Sequence, residues 1–246
     1  MTRPSALLLT GTGRYADPWH PFTETSHALA GILDESGFDV IVAADAEAAL
    51  EWLTSSWNWP DLLAVNVGLP RDGAPSPGRA AAAGLSAWLA GRRPLLACHS
   101  SSTSFTDLPE WKQALGGSWT RGTSMHPDHG PADILVDRNS GSVAASIPDF
   151  QLTDERYSWL DTHPDITVHA RHLHENVAHP LIWSYERDGG GRTFYDALGH
   201  DAASYESPEH RELLRRGIEW LAESVPLRPG TPPETADPST AQLPNS

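Results

Sequence analysis

Two histidines of this sequence follow short apolar segments, and imidazoles in such places can move protons or bind metals. His99 comes directly after the run LLAC in PLLACHSSS, and His200 follows the apolar end of GRTFYDALGH. Runs of this kind are typical of buried strands in a parallel sheet, and such sheets bind ligands at the carboxyl ends of their strands. Imidazole also titrates near neutral pH. We therefore expect His99 and His200 to meet at one edge of a sheet and to form part of a functional site.

The histidines as a group do not form a recognisable metal motif. Twelve are present, but their spacing matches neither H-E-x-x-H nor a closed zinc pattern, and a single cysteine rules out a cysteine-rich structural zinc site. Six of the others stand in polar surroundings, where we expect solvated surface positions. These are His163, His169, His172, His174, His179 and His210.

A glycine-rich turn follows the first apolar segment. Its sequence, GTGRYA, matches the dinucleotide fingerprint G-x-G-x-x-A in form. That fingerprint needs a helix to begin within the motif, whereas Asp17 and Pro18 keep this segment a loop until about Pro21. The acidic residue of the second strand, Asp45, also lies well beyond the usual offset of ~20 residues. We expect a turn beside an active site, not a nicotinamide site.

The elements that must position these residues alternate between strands and helices. This alternation predicts an α/β fold with one mainly parallel sheet between two helical layers, a three-layer αβα sandwich. Between 118 and 190 the pattern loosens into short strands, which we expect to form an edge elaboration over the sheet. Strands are predicted at 5–10, 38–45, 61–68, from 94 onward and within 191–200, and helices within 21–37, 46–56, 80–93, 108–117 and 210–225.

Composition limits the partners and the location of the protein. We expect a single domain over 1–225 and a disordered tail over 226–246, where Pro, Ser, Thr and acidic residues dominate. The net charge of -15, without a basic run, argues against nucleic acid and anionic membranes as partners. One cysteine forms no internal disulfide, and the first apolar stretch is too short for a signal or membrane segment, so we expect a cytoplasmic protein.

Several motifs together resemble one known family. PLLACHSSS, ALGGSWTRGTSMHP, FQLTDERY and PLIWSYERDGGGRTFYDALGHD occur in this order. The combination is similar to the ThuA-like (trehalose utilisation) family, and the resemblance spans roughly residues 5 to 222. That family resembles a divergent branch of the class I glutamine amidotransferases. The resemblance therefore implies a flavodoxin-like sheet and a role in carbohydrate metabolism.

The same resemblance indicates whether Cys98 or His99 lies in the functional site. Amidotransferases of this class carry P-x-x-G-x-C-x-G at the nucleophile, with the cysteine five residues after the proline, and counting from Pro94 arrives at His99. Because strand side chains alternate between faces, Cys98 should point into the core. The family's later H-P-E corresponds to Gly199-His200-Asp201 here. Nucleophile and acid are both missing, so we expect no glutamine hydrolysis.

In place of that triad, imidazoles and carboxylates form the predicted site. The resemblance singles out D-E-x-Y, so His99, Glu155 and His200 are the catalytic candidates. Such groups serve as general acid and base, or they hold a divalent metal at an open position, with His99 and His200 as candidate ligands. The sequence leaves the presence of a metal open. Asp154 and Glu155 also fit the N-cap and first turn of a helix.

Other residues are candidates for substrate binding. Tryptophan faces beside polar groups suit sugar rings, and Trp19, Trp119 and Trp183 stand near the predicted site. Tyr157 is expected either to donate a hydrogen bond to a substrate oxygen or to pack under the loop. The full set of substrate-binding candidates is His20, His126, Asp154, Tyr157 and Asp201.

These features favour an enzyme that acts on a small sugar or keto-sugar by proton transfer, through isomerisation or through elimination next to a ketone. Metal-assisted hydrolysis of a sugar is the alternative within enzymes. A non-catalytic module that senses sugar or binds a partner is the alternative outside them. The sequence does not determine whether the protein forms a homo-oligomer.

Overall fold

The computed structural model describes residues 2–55 and 59–224. In this part of the chain, helices pack on a central sheet, which confirms the expected α/β architecture. The strands are β1 Ser5–Thr10, β2 Asp39–Ala43, β3 Leu62–Asn66, β4 Leu95–Cys98, β5 Gly117–Ser118, β6 Gly130–Val136, β7 Phe150–Asp154, β8 Asp161–Thr162, β9 Thr167–His174, β10 Val177–Glu186 and β11 Arg192–Asp196. The helices are α1 Phe22–Glu35, α2 Ala46–Ser55, α3 Arg79–Ala90, α4 Pro109–Leu115 and α5 Pro208–Ala222.

The main sheet has a parallel part and an antiparallel part. Its strand order is β2-β1-β3-β4-β11-β10-β9-β6-β7, and the first five strands are parallel neighbours. β1, β3 and β4 are almost wholly buried, as continuous apolar strands in the middle of such a sheet should be. Because these strands and β11 run the same way, their carboxyl ends meet at one edge. His99 and Ala197 lie just beyond that edge.

The region between 118 and 190 extends the sheet and does not lie over it, which corrects the expected edge elaboration. β10 pairs antiparallel with both β11 and β9. A two-residue turn joins β9 to β10, and both of its residues, Glu175 and Asn176, have positive φ, of 50° and 61°. This is the backbone of a type I′ hairpin turn, whose twist matches that of paired strands. The turn thus reverses the chain so that β10 pairs with β9.

Four histidines expected on the surface are instead buried. His169, His172, His179 and His210 have at most 3% of their surface exposed. Each makes at least one hydrogen bond to a group elsewhere in the chain; the His169 ring, for example, lies 2.8 Å from both the Ser140 and the Ser184 hydroxyls. Among the described residues, His172 Nδ1 and His179 Nε2 have no partner. A buried imidazole is tolerated when it is hydrogen-bonded, and the polar neighbours in the sequence did not indicate this.

Two further expectations concern the tail and the membrane. The tail predicted over 226–246 lies outside the described residues, and the single domain over 1–225 stays a prediction. Among the described residues, no helix is both long enough and apolar enough to cross a membrane.

The close approach of α2 and α3 depends on one glycine. A Cβ at Gly84 would overlap the backbone carbonyl of Leu50, whereas a Cβ at Gly31 in α1 meets no heavy atom within 4 Å. Gly84→Ala should therefore lower the free energy of unfolding by about 1–3 kcal/mol through overpacking. Gly31→Ala should raise it by roughly 0.5–1 kcal/mol, because alanine is the better helix former. Denaturant unfolding measures both, and an equal gain in the two variants would contradict this packing.

Candidate functional site

His99 begins the short 3-10 turn His99–Thr103 directly after β4. Its φ of +44° is a left-handed conformation that non-glycine residues adopt rarely. The Ala197 carbonyl accepts a 2.7 Å hydrogen bond from Nδ1, and the Tyr195 hydroxyl donates to the His99 carbonyl. Since a carbonyl only accepts, Nδ1 carries a proton, and Nε2 faces the Tyr157 hydroxyl and the Glu155 carboxylate.

Cys98 lies on the opposite side of the strand, as the alternation of side chains predicts. Only 1% of its surface is exposed, and burial raises the pKa of its thiol well above the ordinary value. A thiol in this environment is a poor nucleophile because the thiolate is the reactive form.

Asp154, at the end of β7, is hydrogen-bonded both to the residue that follows it and to the loop after β11. Its carboxylate accepts hydrogen bonds from the backbone N–H groups of Glu155, Gly199 and His200 at 2.7 to 3.1 Å. The side chain is fully buried and both oxygens are used. No helix begins here, so the predicted N-cap is wrong. The prediction that Asp154 contacts substrate stays a prediction, although its oxygens are occupied by these backbone bonds. Asp154 instead brings Glu155 and His200 to the same place.

Glu155 lies among three imidazoles. Its Oε2 is 3.4 Å from His99 Nε2, and its Oε1 is 3.3 Å from His200 Nδ1 and 3.6 Å from His126 Nε2. Burial alone would raise the pKa of Glu155, but its contacts with His200 and His99 outweigh burial and hold that pKa well below its usual range. Burial likewise opposes a charge on His200, yet Glu155 raises the pKa of that imidazole. Glu155 and His200 therefore form an ion pair.

His20 completes the group from the loop before α1. Its Nδ1 lies 2.8 Å from the Asp17 carboxylate, which also accepts the His20 backbone N–H. Burial and the nearby His99 lower the pKa of His20 to about 4, although Asp17 acts in the opposite direction. His20 is thus neutral near pH 7, and its buried Nε2 has no hydrogen-bond partner in the part of the chain that the structure describes. Sequence reasoning missed Asp17, whose signal is the i,i+3 spacing in DPWHP.

Four of these residues could hold a metal ion. One ligand atom from each of His20, His99, Glu155 and His200 lies within 4.8 Å of the others. The sequence predicted His99 and His200 as ligand candidates, and the structure places His20 and Glu155 beside them. Imidazole nitrogen and carboxylate oxygen are both common ligands of divalent metals.

A cleft of about 740 Å³ opens over Glu155. Trp19 and Trp119 form part of its wall, whereas Trp183 is fully buried, which corrects its expected place near a sugar. The candidates His20, His126 and Tyr157 also line the cleft, together with two arginines that sequence reasoning missed, Arg71 and Arg121.

Asp201 lies outside the cleft lining and contacts another histidine. Its carboxylate is 3.4 Å from Nε2 of His129, a residue that sequence reasoning also missed, and it caps the short turn Ala202–Glu206. The His129 ring is 4.8 Å from that of His200. Asp201 and His129 thus flank the four-residue group without joining it.

Comparison with known families shows which family the chain belongs to. A family model described as ThuA, trehalose utilisation, matches residues 6–221. The chain belongs to the ThuA family. None of the curated proteins matches it in sequence.

Solved structures show the same fold at low sequence identity. A ThuA-like protein from Parabacteroides merdae is 16% identical with a TM-score of 0.71, and the match covers 89% of this chain and 90% of that one. A glutamine amidotransferase from Thermotoga maritima is 12% identical with a TM-score of 0.52, covering 90% and 99%. The GH42 β-galactosidase Gan42B from G. stearothermophilus is 15% identical with a TM-score of 0.55, and only 30% of that longer chain is covered. The ThuA family thus shares its fold with proteins of different activity.

A second buried pair supports the loop that carries His200. His210 Nε2 lies 2.7 Å from the Asp196 carboxylate, and both side chains are fully buried. The other Asp196 oxygen accepts the Leu198 N–H, and His210 Nδ1 donates to the Ser204 carbonyl. The end of β11, the following loop and the start of α5 are therefore tied together.

This pair should give the stability a pH dependence of known sign. Burial opposes the charge on His210, but Asp196 outweighs burial and raises the pKa of the imidazole. A raised pKa stabilises the fold below the unfolded value of ~6.5, and the contribution is lost as pH rises through the folded pKa. His210→Gln should therefore cost about 3–5 kcal/mol at pH 6 and less at pH 9. Urea unfolding of both proteins at the two pH values measures this, and a gap that widens with pH would contradict it.

The position of Cys98 predicts an unreactive thiol. Iodoacetamide should leave Cys98 unmodified in the folded protein, because the thiol is buried and its pKa is raised. The same reagent should alkylate it completely in guanidinium chloride, and intact-mass spectrometry distinguishes the two states. Rapid alkylation of the folded protein would show that Cys98 faces the site.

Proposed function

We propose that this ThuA-family protein is an enzyme of carbohydrate metabolism that transfers protons on a sugar or keto-sugar bound in the cleft above Glu155. The observation that carries the proposal is one carboxylate, Glu155, that lies among three imidazoles and lines a cleft walled by two tryptophans. The family description, trehalose utilisation, supports a sugar as the substrate class. Isomerisation, or elimination next to a ketone, would use such a site.

The walls of the cleft suit a sugar ring. Its volume of about 740 Å³ lies within the range of small-molecule sites, ~300–1,000 Å³. Trp19 is 52% exposed, and the Arg71 guanidinium lies 4.2 Å from the centre of its ring system. Tryptophan offers an apolar face to the ring of a sugar, while Arg71 and Arg121 offer N–H donors to its oxygens.

The accessibility of each group suggests its role. His126 faces the cleft with 35% of its side chain exposed, whereas Glu155 is 11% exposed and His99 only 2%. The low pKa of Glu155 makes it a weak base and keeps it charged near pH 7. We therefore assign proton exchange with the substrate to His126. Glu155 orients His126 and stabilises positive charge on it, and His99 and His200 hold Glu155 in place.

Tyr157 is the further candidate for substrate contact. Its hydroxyl lies 3.2 Å from His99 Nε2, and it lines the cleft. Burial raises the pKa of this phenol well above its ordinary value, so it stays protonated and can donate a hydrogen bond to a substrate oxygen. The same geometry does not favour glutamine hydrolysis, because Cys98 lies in the core.

Solvent exchange tests the reaction directly. Keto-disaccharides incubated with the protein in D₂O should gain deuterium at the carbon next to the ketone, as followed by NMR. His126→Asn and Glu155→Gln should each lower kcat by ~10²–10⁴-fold while the melting temperature stays close to that of the unaltered protein. If the two residues serve one step, the double variant should be little slower than the slower single variant.

Cys98→Ser is the matched control, because it changes a neighbour of His99 that does not face the cleft. Its turnover should remain near that of the unaltered protein. Binding of keto-sugars without exchange or turnover would contradict the enzyme and favour a sugar-sensing or partner-binding module. Normal turnover in folded Glu155→Gln would remove Glu155 from the mechanism.

A further inference from the structure

Glu155 and the three histidines His20, His99 and His200 have the spacing of a metal centre, and His20 and Glu155 also line the cleft. Ligands ~2.1 Å from a common ion lie about 3.4 Å apart in a tetrahedron. Glu155 Oε2 and His99 Nε2 are 3.4 Å apart, and Glu155 Oε1 and His200 Nδ1 are 3.3 Å apart. The ligand atoms of all four residues, with His20 as the fourth, lie within 4.8 Å of one another. Small side-chain adjustments would let one ion contact them all.

Two imidazoles are held as metal-ligating histidines usually are. Such histidines donate the distal ring N–H to a carboxylate or a backbone carbonyl, which fixes the tautomer and directs the other nitrogen to the metal. His20 Nδ1 contacts the Asp17 carboxylate at 2.8 Å, and His99 Nδ1 donates to the Ala197 carbonyl at 2.7 Å. With Nδ1 fixed in this way, each ring directs its Nε2 toward the position of the ion.

A buried polar atom without a partner also favours a metal site. His20 Nε2 is buried and makes no hydrogen bond within the described residues. His200 Nδ1 is directed at the Glu155 carboxylate, 3.3 Å away, on the same side of the group. Buried polar groups in native proteins nearly always have a partner, and a bound ion is one species that supplies it. A metal ion would give His20 Nε2 a partner and would contact His200 Nδ1 at the same time.

We infer that His20, His99, Glu155 and His200 bind one divalent transition-metal ion. Three imidazoles and one carboxylate, without a thiolate, favour Zn²⁺, Fe²⁺, Co²⁺ or Mn²⁺ over Mg²⁺ and Ca²⁺, which prefer oxygen ligands. The inference deepens the proposed function and rests on it for its catalytic meaning, since such an ion would polarise a carbonyl or hydroxyl oxygen of the sugar. Proton exchange would still fall to His126, outside the four ligands.

Titration calorimetry with ZnCl₂, CoCl₂ and MnCl₂ tests the inference on the full chain after chelator treatment and dialysis. We expect one equivalent to bind and to raise the melting temperature. His20→Asn and Glu155→Gln should each weaken binding by more than 100-fold. Asp17→Asn removes only the partner of a ligand, and it should weaken binding by about 10–100-fold.

Two variants at residues that neighbour the four ligands act as controls. His129→Asn removes an imidazole that neighbours His200 but is not among the four ligands, so affinity should not change. Tyr157→Phe removes a hydroxyl that competes for His99 Nε2, so affinity should be equal or higher. Circular dichroism and melting temperature establish that each variant is folded.

The outcomes separate this inference from the proposed function. Absence of saturable 1:1 binding, or unchanged affinity in folded His20→Asn and Glu155→Gln, would overturn the metal centre. One-equivalent binding that is lost in those variants, without solvent exchange on any keto-sugar, would support the metal centre and count against the proposed proton transfer. Full exchange activity in protein that binds no metal would support the proposed proton transfer and count against the metal centre.

Discussion

The carboxylate of Asp154 accepts backbone N–H groups from Glu155, Gly199 and His200, and the arrangement of the site depends on these bonds. An ionised acceptor with several donors forms strong hydrogen bonds, and a fully buried one has no water to replace them. The end of β7 and the loop after β11 are remote in sequence, yet one side chain fixes both. Glu155 and His200 therefore face each other because of a residue that itself takes no part in the cleft.

The balance of charge at the site follows from burial and from these contacts. Glu155 is ionised, His200 has a raised pKa, and His20 has a pKa of about 4. Glu155 and His200 thus form an ion pair while His20 stays neutral, which avoids the large cost of unpaired buried charge. Asp17 and the Ala197 carbonyl direct the remaining imidazole nitrogens toward the same point.

The fold alone does not determine the chemistry. Similar structures include a glutamine amidotransferase and part of a β-galactosidase, at identities of 12% and 15%. Function on a shared fold is carried by the residues at its site. In this chain the residue at the sheet edge is His99, and the cysteine one position earlier is buried in the core.

Local patterns in the sequence were enough to predict the central strands, because a buried parallel strand is a continuous apolar run and its exit lies at the sheet edge. The alternation of side chains likewise predicted that Cys98 and His99 would face opposite ways. Only the tertiary structure decided the partners of the buried polar groups. His210 is buried because Asp196 pairs with it, and His20 is oriented by Asp17 and joined by Glu155, whose position depends on Asp154. Periodicity and spacing describe neighbours along the chain, whereas these hydrogen bonds and ion pairs form only when the packing of distant segments excludes water from them.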